Sequence, residues 1–415
     1  MRMRKNFVLL LVVSLLAVFF SGCNNLEESD VWDGSIAQTF ASGDGSEKKP
    51  YIIETASQLA LLAQEVNTGA NYKGKYFSLN RELDLNSCEW TPIGNGENSF
   101  NGFFDGNNHT ISNLRITNGI TFSTDNTGGE SNQYTTGLFG SCYDATIKNL
   151  TIDKASISVQ NITNAYAVMS GVLIGIIRTD SISEVSNINV ANADITCAFE
   201  LENNTSSLRI GGIIGYVYGN DESSIKMSNI DSDTSISIEN GRASYNLVGG
   251  IVGAASSNNL FDVSDCASYL SVNIDTEDSY TQHNYFGAFG SMQAKNDIVS
   301  ISNVFSKITI NKIHDISHGY SAYNANAIIG ETNHAKQKDG TRIGGYKFQN
   351  LFGYVKQVDA STGETSKATP LYDLPSYAIY TETNCLGCES LPTNHGFDSS
   401  VWDLTDLSSP KVKMN

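Results

Sequence analysis

Short runs of alternating apolar and polar residues recur through the chain, as in Ala155-Ser-Ile-Ser-Val159, Ser235-Ile-Ser-Ile238 and Lys307-Ile-Thr-Ile310. Alternation with period two puts one face of an extended segment in a core, so each run is predicted to be a strand. Glycine-bearing segments precede them at regular intervals: Gly137-Leu-Phe-Gly140, Gly171-Val-Leu-Ile-Gly175, Gly211-Gly-Ile-Ile-Gly215, Gly249-Gly-Ile-Val-Gly253, Phe286-Gly-Ala-Phe-Gly290 and Ala327-Ile-Ile-Gly330. Their last glycines lie 35, 40, 38, 37 and 40 residues apart. After each comes a second element: Ile147-Lys-Asn-Leu-Thr-Ile152, Val185-Ser-Asn-Ile-Asn-Val190, Met227-Ser-Asn-Ile230, the degenerate Ser264-Asp-Cys266, Ile301-Ser-Asn-Val304 and Phe348-Gln-Asn-Leu351.

Strands repeating at this interval without long helices favour a coil in which each strand pairs with its equivalent one repeat on. The expected fold is all-β, a right-handed parallel β-helix (solenoid) with a short N-terminal helical cap. Gly and Asn between strands supply the left-handed or bulged backbone that sharp corners need, and Asn at recurring corners can stack into side-chain ladders. The clear helical signal is Thr55 to Val66: Thr55 can cap, and Leu59, Leu62, Ala63 and Val66 share one face. It reads as a lid on the first rung. The copy ending at Gly330 lacks its first glycine, and the long spacer from Glu331 to Tyr346 is expected to loop outward, where binding residues usually sit.

Composition narrows the picture. The 415 residues carry 36 Gly, only 17% charged residues and a formal charge of −18. An acidic chain does not grip nucleic acid along its phosphates. Arg2, Arg4 and Lys5 followed by the apolar run Phe7 to Phe20 form a targeting segment shorter than the roughly 20 residues of a membrane span. Its loss would take those three positive charges away and leave −21 against 44 acids.

Several segments resemble known families. Phe20-Ser21-Gly22-Cys23 resembles a bacterial lipobox, which implies lipidation of Cys23 and anchoring to outer-membrane lipid. Glu27, Glu28 and Asp30 just after it resemble the export signal of surface lipoproteins in Bacteroidota. The Gly-Leu-Phe-Gly and Ile-x-Asn-Leu-x-Ile units resemble GLUG-motif repeats. Trp32-Asp-Gly34, Tyr72 to Leu79, Leu83-Asp-Leu85, Trp90-Thr-Pro-Ile-Gly94 and Phe100 to Ile111 are similar to the N-terminal part of GLUG-containing, adhesin-like lipoproteins of gut Bacteroidota. Val401-Trp-Asp-Leu404 with Pro410-Lys-Val412 resembles their close. The expected organisation is a signal peptide over 1–22, an acidic tether and linker over 23–49, a cap over 50–97, the β-helix over 98–395 and a closing segment over 396–415. Asp180-Ser181-Ile182 resembles the O-glycosylation signal of this bacterial group, with Ser181 as acceptor.

A search for chemistry finds little. H-E-x-x-H is absent; His314 and His318 have i, i+4 spacing, but Gly319 and the surrounding alternation argue against the helix that zinc binding would need. His109 falls in an Asp-Gly-Asn-Asn-His turn, where corner packing is expected. Cys385-Leu-Gly-Cys388 has neither a second pair nor a βαβ unit nearby, so a local disulfide or two packed thiols is expected. Glycoside hydrolysis needs two carboxylates roughly 5–10 Å apart, and with 44 acids a coincidental pair has no force. No cofactor or metal is expected. Tyr280, Tyr285, Tyr320, Tyr323 and Tyr346 in the later repeats are candidate ligand-binding residues, because sugar faces stack on tyrosine. The expected function is a non-catalytic cell-surface lipoprotein that binds a host or dietary glycan or a surface protein. The alternatives are a polysaccharide lyase or glycosidase on the same coil, or a fimbrial or surface-layer component.

Overall fold

An asparagine in the left-handed region turns the chain at the same corner of successive coils. Asn149, Asn187, Asn229, Asn303, Asn350 and Asn384 have φ between 52° and 56°, with Asp265 at 56° in the degenerate copy. Asn and Asp tolerate this conformation better than other side-chain-bearing residues, because a short polar side chain bonds locally. Here the side chains also bond along the axis. Asn187 Nδ2 donates to Asn149 Oδ1 at 2.8 Å, and Asn149 Nδ2 to Asp105 Oδ1 at 2.8 Å. Farther along, Asn384, Asn350 and Asn303 donate in series at 3.0, 2.8 and 2.9 Å, ending on Asp265 Oδ1.

The computed structural model describes residues 31–414 apart from 125–130, 161, 163–164, 199–206, 221–222, 240–242, 258–259, 276–282, 295–297, 313–321, 335–344, 360–364, 369–370 and 373–379. Residues 32–415 form one compact unit. It is a parallel β-helix. A long sheet stacks Tyr51–Ile53, Tyr76–Leu79, Phe103–Ser112, Thr146–Asp153, Ile182–Ala198, Ser224–Glu239, Leu260–Asp275, Ile298–Lys312 and Gly345–Asp359 in register. The parallel ladder thus begins within the segment read from sequence as cap. Trp32, in the segment read as linker, is 6% exposed and meets Trp90 edge-on at 5.6 Å.

A second sheet is folded along its length into two arms. The first arm stacks Ser131–Thr136, Ala165–Gly171, Ser207–Gly211, the start of Tyr245–Ser257, the start of His283–Ala294 and Ala322–Ala325. The second stacks Phe139–Tyr143, Ile174–Thr179, Ile214–Gly219, the ends of the same two long strands, and Ile329–His334.

The repeat glycines act differently from the expectation. Among them only Gly137 has a positive φ, at 152°. Most of the others are required by close approach of backbone: a Cβ on Gly253 would lie 2.4 Å from Ile210 N, and one on Gly215 2.6 Å from Ser170 N. From Gly175 onward, the last glycine of each motif therefore lets the second arm fold sharply against the first, whereas Gly140 meets Gly94 and Pro92. The second glycine of the doublet faces a serine column inside the coil, where a Cβ on Gly250 would strike Ser268 Oγ. Where that glycine becomes Ala327, the opposing column shrinks to Gly353.

Helix α1, Ala56–Asn67, is closed by a capping box in which Thr55 accepts from Gln58 N and Gln58 Oε1 accepts from the Thr55 amide. Leu59, Leu62, Ala63 and Val66 join the coil's core. At the other end the closing segment folds back over the outer flank of the long sheet. Leu391, Phe397, Trp402 and Val412 cover Ala267, Phe305 and Phe352, which are in register on that flank. Trp402 Nε1 donates to Asp265 Oδ1 at 3.2 Å, tying this segment to the asparagine ladder.

Candidate functional site

Outward side chains on a convex surface diverge; on this folded sheet they converge. Val168, Leu208, Ile177, Val217 and Met292 point into the main core, so their strand neighbours point out. Yet Met169 and Ile176 pack together with Tyr216, and Leu247, Ala254 and Tyr285 pack with the same Tyr216. Each of these clusters joins a residue of the first arm to one of the second. The outer face between the arms is therefore a trough with an apolar floor, running along the coil axis.

Register defines its rows. Met169, Arg209, Leu247 and Tyr285 follow one another on the first arm, and Ile176, Tyr216, Ala254, Ser291 and Glu331 on the second. The rim carries Tyr245 and His283 on one side and Arg178 and Tyr218 on the other. Tyr245 is 42% exposed and stacks on His283 at 5.0 Å and 16°, with His283 nearly parallel to Tyr285 at 6.3 Å. The Arg209 guanidinium lies over the Tyr216 ring at 4.0 Å, a cation–π contact. Four steps of about 4.8 Å separate the Arg178 coil from the Glu331 coil, a length of roughly 19 Å.

The trough is graded in charge. Burial lowers the Arg178 pKa, with Tyr216 and Tyr218 acting in the opposite sense. At the other end Ser291 Oγ donates to Glu331 Oε2 at 3.1 Å, and burial followed by the Glu331 carboxylate pushes the Tyr285 phenol up to about 12. Among the described residues no three His, Cys, Asp or Glu side chains cluster as metal ligands.

The sequence-based candidates are distributed unevenly. Tyr285 lies in the trough floor, 8% exposed. Tyr346 does not belong there: it is 2% exposed in the coil interior, and its hydroxyl donates to Met292 O at 3.1 Å. Of the spacer expected to loop outward, Glu331 and Tyr346 lie in the strands Ile329–His334 and Gly345–Asp359, and residues 335–344 lie outside the described residues. Tyr323 pairs with Asn284, on the phase of the buried Asn246 and Asn284, and its side chain lies outside the described residues. Cys23, Tyr280, Tyr320, His314 and His318 also lie outside them. Ser181 is exposed at a corner, where its amide donates to Asp144 Oδ1 at 3.0 Å. His109 sits 3.4 Å from Glu82 Oε1. Cys385 and Cys388 are free thiols: Cys385 packs against the coil interior and Cys388 against the outer cluster, so they face opposite sides.

Sequence reasoning missed Arg178, Arg209, Tyr216, Tyr218, Tyr245 and His283. The available signal was positional: Arg209, Tyr216 and Tyr218 flank the glycine motif at the polar phase of the alternation.

Two cavities lie elsewhere. One of about 250 Å³ is lined by Trp32, Ile36, Ala63, Gln64, Glu89 and Trp90. Its acid is already occupied, because Glu89 accepts from the Thr117 and Asn118 amides at 2.7 and 2.8 Å. The other, of about 240 Å³, lies beside the stacked Tyr76 and Phe103, and there Lys148 is paired with Asp105 at 3.5 Å.

Comparison with known proteins adds distant similarities. No family model matches the chain. It is 33% identical over 88 residues to a protein named "Putative Gly-rich membrane protein" from Evansella cellulosilytica, a match covering 19% of this chain and 9% of that one. It is 24% identical over 196 residues to "Halomucin" of Haloquadratum walsbyi, covering 44% of this chain and 2% of that one. A solved structure described as a "putative immunoglobulin A1 protease" from Bacteroides ovatus aligns with 73% of this chain and 94% of its own, at 18% identity and a TM-score of 0.38. The chain thus spans less than a tenth of the length of the curated relatives it matches.

Proposed function

We propose that this chain is a non-catalytic cell-surface protein of the GLUG-repeat kind whose β-helix presents the trough to a glycan. The observation that carries the reading is the convergence of Tyr216, Tyr218, Tyr245 and Tyr285 with two arginines along one concave face. Aromatic faces accept the apolar C–H face of a pyranose, and the rim residues offer hydrogen bonds to its hydroxyls. A rigid coil holds these groups without ordering cost, which favours binding. Among the described residues, Glu331 is the single carboxylate placed on these rows, whereas glycoside hydrolysis requires a pair.

Lipidation at Cys23 would hold the coil on the outer membrane. The name of the Evansella relative, a membrane protein, agrees with a surface location. Titration of the mature protein against a panel of host and dietary oligosaccharides tests the binding. Retention without product, weakened at least tenfold in Tyr216→Ala and Tyr245→Ala, is expected. Release of shortened sugars would overturn the non-catalytic reading, and absence of binding across the panel would overturn the glycan reading. For location, Cys23→Ser should release the protein from the membrane fraction, and external protease should digest the unaltered protein on intact cells.

A further inference from the structure

The row that contains Arg209 is otherwise met by Met169 one coil earlier and Leu247 one coil later. Packing at this position is satisfied by apolar side chains, so the fold itself does not call for a guanidinium. Arg209 takes part in none of the ion pairs formed among the described residues. Its Nε is buried without a hydrogen-bond acceptor, and it is held by stacking on Tyr216. A stacked guanidinium is weakly hydrated and keeps its edge for a planar anion, which it meets with paired N–H donors. Arg178 stands on the facing arm, directly in register with Tyr218, so a second cation borders the same aromatic pair.

Among the described residues, the acids around this end are already engaged or distant. Asp180 accepts from the Tyr143 hydroxyl and from Asn220 Nδ2. Asp144 accepts from Thr179 Oγ1 and from the Asp180 and Ser181 amides. Glu331 lies at the opposite end of the row, past Ala254 and Ser291. The whole chain, at −18, repels a polyanion, whereas one acid delivered to the two arginines avoids most of that field.

Building on the glycan reading of the trough, we infer that the ligand is an acidic oligosaccharide. Its carboxylate or sulfate is seated at the Arg178–Arg209 end, and its neutral residues run over Tyr216 and Tyr245 toward Glu331. Specificity then comes from the anion, and the aromatic floor supplies contact common to all sugars.

Matched pairs test this: 3′-sialyllactose against lactose, digalacturonate against digalactose, and 3-O-sulfogalactoside against the parent galactoside, each titrated into the folded full coil. The acidic member of at least one pair should bind ten- to a hundredfold more tightly. A preference confined to the carboxylate pairs, or to the sulfate pair, identifies which anion is read. Arg209→Met, which copies the neighbouring coil and should leave the circular dichroism unchanged, should abolish that preference, bringing the affinity for the acidic member down to that of its neutral partner. Equal binding of acidic and neutral partners would overturn the inference and leave the glycan reading standing. A preference that survives both Arg209→Met and Arg178→Met would also overturn it. Failure of every sugar to bind would bring down both.

Discussion

Replacing Asn303 separates the two roles assigned to the corner asparagines. Asn303 donates to Asp265 Oδ1 at 2.9 Å, accepts from Asn350 Nδ2 at 2.8 Å, and sits at φ 53°. A part-buried hydrogen bond to a charged group contributes about 1.5–3 kcal/mol and a neutral one about 1 kcal/mol. Asn303→Gly keeps the backbone conformation and loses both bonds, so a loss of roughly 2–3 kcal/mol is expected, since coupled bonds do not add fully. Asn303→Ala loses the same bonds and also places a Cβ in the left-handed region, at a cost of about 1–2 kcal/mol. Against this, alanine is favoured over glycine by about 0.5–1 kcal/mol of unfolded-chain entropy. The expected order is therefore Asn, then Gly, then Ala, with Ala below Gly by up to about 1.5 kcal/mol. Urea titration followed by both tryptophan fluorescence and far-ultraviolet circular dichroism reads the order and checks that the coil unfolds in one step. A glycine variant as stable as the parent would show that the ladder adds nothing. An alanine variant more stable than glycine would refute the backbone argument.

Other consequences follow from the same packing. Gly253→Ala would bring a Cβ within 2.4 Å of Ile210 N, so it should cost about 3 kcal/mol or more, read as a large fall in melting temperature. Gly74→Ala, at φ 71° with nothing near its Cβ, should cost only about 1 kcal/mol. Asp231 lies buried on the outer flank beneath the closing segment, near Lys411, the Val412 amide and Asp233, and burial raises its pKa to about 7. The folded state then holds a proton that the unfolded chain has released, so stability falls as pH rises from about 4 through about 7. Thermal melts should accordingly be higher at pH 5 than at pH 8, and Asp231→Asn should flatten the difference; an unchanged slope would refute the assignment. Trp402→Ala, which removes an indole packed on Phe397 and bonded to Asp265, should cost about 3–5 kcal/mol and speed hydrogen exchange at Val412.

Much of the fold was legible because its determinants are local and repeated. The asparagine two residues after an apolar Ile, Val, Met or Phe marked a corner, and the helix over residues 56–67 showed both its capping threonine and its apolar face. The roles of the glycines were less legible. From sequence they read as corners of left-handed or bulged backbone, whereas only Gly137 among them has a positive φ, and the last glycine of most motifs meets residues about forty positions away. Tyr346 shows the same limit. It neighbours an irregular spacer in sequence, but strand register carries it into the core beside Met292.

By itself the sequence determined that strands repeat, which phase of each strand is buried, where the coil turns, and that an acidic array with an amphipathic lid would result. Only the tertiary structure decided that the outward phase of two consecutive strands faces inward on a trough. Alternation states that Arg209 and Tyr216 point away from the core, and says nothing of the angle between their strands. That angle is set by backbone contact between glycines and the neighbouring coil, Gly215 against Ser170 and Gly253 against Ile210. The same polar positions would lie scattered on a flat or convex sheet. Here the fold gathers them, and the candidate site is a product of that bend.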